Sequence, residues 1–193
     1  MKLNILIALA LIICIGSACT QKTGTSEHQH GTPASTEAPA DTTKKSIPKE
    51  THAQVGNAHV MIKYHAPAVR GRTIWGGLVP YGEVWVTGAH SATSLEFDKD
   101  LIVADKAISA GKYALFTIPG QEKWTVIINR NWDQHLADEY DQKDDIIRLE
   151  VTPQQLPGVQ ERLKYTVVAH ENTGGSIDIR WEKIKISMPF KIK

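Results

Sequence analysis

Eight histidines are spread along this 193-residue chain. Three of them, His65, His90 and His135, stand at the ends of short apolar segments or in the stretches that follow. Neutral imidazole is a ligand favoured by zinc, copper and nickel. Three imidazoles with an open position suit Zn²⁺ or Cu²⁺. Asp133 and Glu139 flank His135 and, with Asp138, are carboxylates able to complete a site or to orient a ring. A helical turn over residues 133–140 would bring His135 and Glu139 onto one face at i,i+4. The spacing is long-range, unlike a local H-E-x-x-H, so two readings stand. One is a zinc or copper centre built from His65, His90 and His135 with Asp133 or Glu139. The other is a set of separate, half-exposed histidines that hydrogen-bond the loops. His59 lies six residues before His65, ~20 Å along an extended strand, and cannot share a site with it. His170 precedes a turn, and His28, His30 and His52 fall in a polar N-terminal stretch.

A second group is Arg70, Arg72, Trp75, Tyr81 and Trp85, all within a Gly/Pro-rich stretch. The two arginines flank Gly71 and are the best contacts for an anion. The three aromatics form either a stacking platform for a sugar or the cover of one end of the core, and the adjacent Leu78 and Val79 favour the core. Other chemistries find less support. Ser91 and Thr93 follow His90, but no G-x-S-x-G elbow surrounds them. Glu83 and Glu96 show no pairing of the kind glycoside hydrolysis needs. No phosphate-binding loop or dinucleotide glycine fingerprint is present. Whether the protein is an enzyme stays open.

The N-terminus gives the compartment. Lys2 precedes an apolar run at residues 5–16, then Ser17, Ala18 and Cys19. A bilayer span needs ~20 apolar residues, so the run reads as an export signal. It looks like a bacterial lipoprotein signal, with residues 1–18 removed and Cys19 acylated. This predicts a lipid-anchored protein of the bacterial cell envelope, at the outer membrane on its periplasmic or surface face. Cys14 lies within the signal, so no thiol remains for disulfides, nucleophilic attack or zinc once Cys19 is modified. With 22 basic and 21 acidic residues, the chain lacks the basic excess of a nucleic-acid binder. The partners expected are the membrane, through Cys19, and a small-molecule, sugar or metal ligand.

Residues 20–52 are rich in Thr, Ser, Pro, Lys and Glu, with Ile47 the one sizeable apolar side chain. Too little apolar surface is available to offset the entropy of ordering, so residues 19–52 read as an acylated cysteine and a flexible tether. Beyond them, short segments rich in β-branched and aromatic residues alternate with Gly, Pro, Asn and Asp. This pattern predicts an all-β fold, a single antiparallel β-sandwich of jelly-roll type over residues 53–193, with its first strand near Asn57. Helical turns are expected only at residues 133–140 and 153–156.

Four strings carry a family resemblance: GRTIWGGLVPYGEVW (71–85), TGAHSATSLEF (87–97), AGKYALFTIPG (110–120) and KWTVIIN (123–129). They resemble the domain-of-unknown-function family 2911, secreted or lipid-anchored bacterial proteins, across the whole domain beyond the tether. The resemblance implies a β-sandwich and no established activity. This chain departs from the family's commoner pattern at several positions. It has His90 in place of Asn and Val86 in place of Arg. It has His65 in place of a small residue and Ala66 in place of Arg. The run ending at His135 replaces one that holds a Trp-Gly pair. Exchange of fixed cations for imidazoles at family-matched positions supports a shared site, with the three histidines expected at one end of the sandwich.

Overall fold

The computed structural model describes residues 45–170 and 174–193. Ten strands make up the fold: β1 (Ser46–Val55), β2 (Ala58–Pro67), β3 (Thr93–Phe97), β4 (Leu101–Val103), β5 (Lys106–Ile108), β6 (Gly111–Ile118), β7 (Trp124–Asn129), β8 (Asp145–Val151), β9 (Gln154–His170) and β10 (Gly174–Ile192). They form two antiparallel sheets, one in the order β1-β2-β3-β6-β7-β8 and one in the order β5-β4-β10-β9. This is the all-β sandwich expected from the sequence. Alternation along β2 shows why the sheets face one another. Val60, Ile62, Tyr64 and Ala66 are buried, while Met61, Lys63 and His65 are not. The inward set packs with Leu163, Tyr165, Ile177, Ile179 and Trp181 of β9 and β10 in one core.

The domain starts earlier than the sequence reading placed it. β1 pairs with β2 along its whole length, from Ser46 opposite Pro67 to Val55 opposite Ala58. Residues 46–52, including His52, therefore belong to the sheet and not to the tether. Polar composition concealed this strand because β1 is an edge strand whose outward side chains meet water. Ile47 and Ala53 pack on the core. Other differences are local. The helical turn expected at residues 133–140 is a β-bridge at His135 followed by a turn, with Leu136 at φ 49°. A short 3-10 turn comes later, at Gln142–Asp144. Residues 154–156 open β9. The C-terminal apolar segments form one long strand, β10, with bulges opposite β9 near Glu182.

Between β2 and β3 the chain changes layers. Ala68 bridges to Arg162 of β9, and the Val69 amide donates to the Glu161 carbonyl at 2.8 Å. The following Gly/Pro-rich stretch folds back on itself. The Leu78 amide donates to the Thr73 carbonyl at 3.0 Å and the Val79 amide to the Ile74 carbonyl at 2.9 Å. A Cβ on Gly77 would lie 2.6 Å from the Thr73 carbonyl oxygen, so only glycine fits that approach. The stretch brings Trp75 into a cluster of four tryptophans. Its ring centroid is 5.8 Å from Trp85, 4.7 Å from Trp124 and 5.7 Å from Trp181, and Trp85 stacks on Trp181 at 5.5 Å. Trp75 and Trp85 are thus core cover rather than a sugar platform.

The outer face of β6 and β7 is also covered. Ala114, Phe116 and Ile127 pack there with Val86 and Ala92, joined by Ala137 and Tyr140. Residues 84–92 and 132–140 therefore lie over that face. Past the end of β3, Trp85 takes the free edge of β6 and exchanges backbone hydrogen bonds with Thr117 at 2.8 and 3.0 Å.

The edge strand gives a direct test. A chain beginning at Lys45 should melt at the temperature of the full-length protein. One beginning at Ala53 loses most of the β1–β2 ladder and should melt at least several degrees lower, because ~1 kcal/mol lost from a domain of this size shifts the midpoint by ~2–8 °C. Circular dichroism melts of the two truncations check this.

Candidate functional site

The site stands on a strained residue. Thr87 is 0% exposed and has φ 50°, a left-handed conformation that costs a β-branched residue about 1–3 kcal/mol. Its surroundings hold it there. The Thr87 carbonyl accepts hydrogen bonds from Thr93 Oγ1 at 3.1 Å and Tyr165 Oη at 2.8 Å. Its own hydroxyl reaches the Trp85 carbonyl at 3.2 Å and Thr117 Oγ1 at 2.9 Å. Trp85 Nε1 donates to the Gly88 carbonyl at 3.1 Å. A Cβ on Gly88 would stand 2.8 Å from Thr93 Oγ1, so glycine is required beside the strained threonine. Burial and the Tyr64 neighbour raise the Tyr165 phenol well above its ordinary value, opposed by its hydrogen bonds to Thr93 and Thr87. It therefore stays a neutral donor.

This clamp delivers His90, itself at φ 67°, to the end of β2. The His90 ring meets the His65 ring edge-on with centroids 5.2 Å apart. Ser46 Oγ of β1 lies 2.7 Å from His90 Nε2. Residues 134–136 close the other side. Ser91 bridges to His135, the Ala92 amide donates to the Gln134 carbonyl at 3.0 Å, and the Leu136 amide donates to the His90 carbonyl at 2.7 Å.

The three histidines expected to share a site fare differently. His65 and His90 come together ring to ring. His135 is a backbone neighbour of the His90 segment, but its ring is exposed and lies 3.1 Å from Asp138 Oδ2. Among the described residues no group of three or more His, Cys, Asp or Glu side chains could hold a metal ion. The expected zinc or copper set of His65, His90 and His135 with Asp133 or Glu139 is therefore not formed. Helical spacing, which would have put Glu139 on the His135 face, gives way to a turn that pairs His135 with Asp138. Glu139 is exposed in that turn.

Two clefts flank the imidazole pair. The first, about 520 Å³, is lined mainly by polar and charged residues and runs between β1, β2 and residues 132–134. Lys49, Glu50, Lys63, His65, Lys112 and Asp133 line it together with Trp132. Lys63 pairs with Glu50 at 3.5 Å, and Lys112 Nζ stands 3.5 Å from the centroid of the Trp132 ring. The second, about 430 Å³, is mostly apolar and contains Ser46, His90, Arg72 and Trp85. Of the residues expected to contact ligand, Arg72 and Trp85 reach this second cleft. Trp75 and Tyr81 line a separate depression beside Trp124. The Arg70 amide is committed to Glu161 Oε1 at 2.9 Å. Cys19 lies outside the described residues. Ser46 and Trp132 escaped the sequence reading. Ser46 sat in the assumed tether, and an aromatic between two polar residues gives no sign of its neighbours.

Desolvation, and secondarily the charge of His90, lowers the His65 pKa from its ordinary value. The unfolded chain then protonates at a higher pH than the folded one. The contribution to stability is intact above the ordinary imidazole pKa of ~6.5 and is lost as pH falls below it toward the folded value. The melting temperature should fall between about pH 7.5 and 5.5, and His65→Gln should make that decline shallower. Thermal melts across this range decide it, and equal slopes in both proteins would contradict the assignment.

No curated protein and no solved structure matches the chain. A family described as "Protein of unknown function (DUF2911)" matches residues 46–190, from the first residue of β1 almost to the end of β10. The chain belongs to the DUF2911 family.

Proposed function

We propose that this protein is a ligand-binding module of the bacterial cell envelope, held to the membrane by an acylated Cys19 and presenting its ligand end at the paired imidazoles. The observation that carries the binding reading is the use of its tryptophans. The chain has five, and four of them form the core cluster. The fifth, Trp132, is 38% exposed and walls a polar cleft. A large aromatic side chain left in water beside lysines suits a ring-shaped polar ligand. Lys49, Lys63 and Lys112 outnumber Glu50 and Asp133 around the cleft, which favours a ligand with negative charge. An acidic saccharide satisfies both requirements. The ring would stack on Trp132, and the carboxylate would be met by lysines through charge-assisted hydrogen bonds. The export reading rests on residues 2–19. Among the described residues no helix is long and apolar enough to cross a membrane.

Two measurements test this reading. Cys19→Ser should move the protein from the membrane fraction to the soluble one, and unchanged retention would remove the anchor. Oligogalacturonate should quench tryptophan fluorescence saturably, with maltose as the neutral comparison. Trp132→Ala should abolish the quench, and Lys112→Gln should weaken binding about tenfold, which corresponds to ~1.4 kcal/mol. Equal responses to the two sugars would sink the acidic-ligand reading.

A further inference from the structure

The second cleft lies on the other side of the Ser46–His90 hydrogen bond and has a different chemistry. Its walls are Leu78, Val79, Val86 and Leu136, with Trp85 and Trp181 beneath. Leu78 is 47% exposed and Leu136 37%. Single exposed leucines carry no meaning. These two, however, come from separate loops and converge on one concavity. Leu136 is also held at φ 49°, a conformation whose cost is met by its amide bond to the His90 carbonyl at 2.7 Å. The backbone is thus strained in a way that keeps an apolar side chain at the cleft and in contact with water.

Electrostatics is one-sided. Lys45 and Arg72 line the cleft, and no carboxylate is among the described residues that do so. The Arg72 guanidinium is fixed in place: its Nε donates to the Val69 carbonyl at 3.1 Å and one terminal nitrogen to the Ala68 carbonyl at 2.6 Å. Carbonyls orient the fork without neutralising its charge, so its positive field remains available to an anion. Ser46 and His90 add hydrogen-bonding groups. The volume of about 430 Å³ falls in the range of small-molecule sites.

An apolar trough with a fixed guanidinium, a second cation at Lys45, polar hydrogen-bonding groups and no acid among its described lining residues fits one ligand class. We infer that this cleft binds a single-chain carboxylate amphiphile, a free fatty acid or its close analogue. The carboxylate sits at Arg72 with support from the Ser46–His90 pair, and the chain lies along Leu78, Val79 and Leu136. The site is separate from the polar cleft walled by Trp132 and does not depend on what that cleft holds.

The test uses the full chain carrying Cys19→Ser, so that no covalent lipid competes. Dodecanoate below its micellar concentration is titrated calorimetrically, with dodecyltrimethylammonium as the cationic counterpart and phosphatidylglycerol vesicles as the membrane control. Dodecanoate should bind saturably at one per chain. Leu78→Glu and Arg72→Gln should each weaken it at least tenfold, Trp132→Ala should leave it unchanged, and the cationic detergent should not compete. Leu78 is about half exposed and lies outside the buried core, so its substitution keeps the fold and decides the question even if Arg72→Gln unfolds the protein. Lack of saturable binding overturns the inference, as does equal binding of both detergents or binding indifferent to Leu78→Glu. Binding to vesicles without binding to dodecanoate overturns it in favour of contact with a lipid surface.

Discussion

The candidate site depends on one buried residue in a conformation it would not choose. Thr87 keeps a left-handed backbone because its carbonyl and hydroxyl are held from four directions, by Thr93, Tyr165, Trp85 and Thr117. Each bond is made in the interior, where an unmade one costs about 1–3 kcal/mol. Together they exceed the local strain. The clamp also ties the two sheets to each other, since Tyr165 belongs to β9 and Thr93 and Thr117 to β3 and β6. The path of residues 88–92, and with it the position of His90, follows from that tie. Imidazole chemistry at this end of the sandwich is therefore coupled to the core and is not a property of a free loop.

The tryptophans show the same coupling from the packing side. Trp75, Trp85, Trp124 and Trp181 meet in one cluster, drawn from the Gly/Pro-rich stretch, the segment beside β6, and strands β7 and β10. Edge-to-face contacts at these separations add about 0.5–1.5 kcal/mol each to the burial of the rings. Stability at that position fixes the stretch between β2 and β3, and the stretch in turn places Arg72 and Leu78 around the apolar cleft. Core and candidate site share a scaffold, so changes meant for one will be felt in the other.

Much of this was legible in the sequence, and the parts that were not have identifiable causes. Alternation revealed β2, and short segments rich in β-branched and aromatic residues between turn residues revealed β6, β7, β8 and β10, because each packs on the core. β1 hid because Ile47, Ala53 and Val55 are its few inward-packing side chains, spread among charged and polar neighbours, and an edge strand needs little more. The core role of Trp75 followed from its apolar company, Ile74, Leu78 and Val79. The approach of His65 to His90 was anticipated from their positions at strand ends. His135 was grouped with the other two from its place after a strand and its match to the family's positions, but its ring turns to Asp138 beside a left-handed Leu136, and no residue type announces that turn. Ser46 and Trp132 reach the site through pairings distant in the chain, which composition does not record.

The sheet order has a consequence for how the molecule behaves among copies of itself. β1 and β8 end the six-stranded sheet and β5 ends the smaller one, while residues 68–69 cover part of β9. An open strand edge is a template on which another chain can add a strand. On β1 that row is interrupted at Pro48, which has no amide hydrogen to offer, and it is flanked by Lys49, Glu50 and His52. On β8 the alternating Arg148 and Glu150 place charge along the exposed rim. β5 is only three residues long. The polar composition that disguises β1 as a tether is thus the feature that keeps neighbouring copies of the chain from polymerising edge to edge.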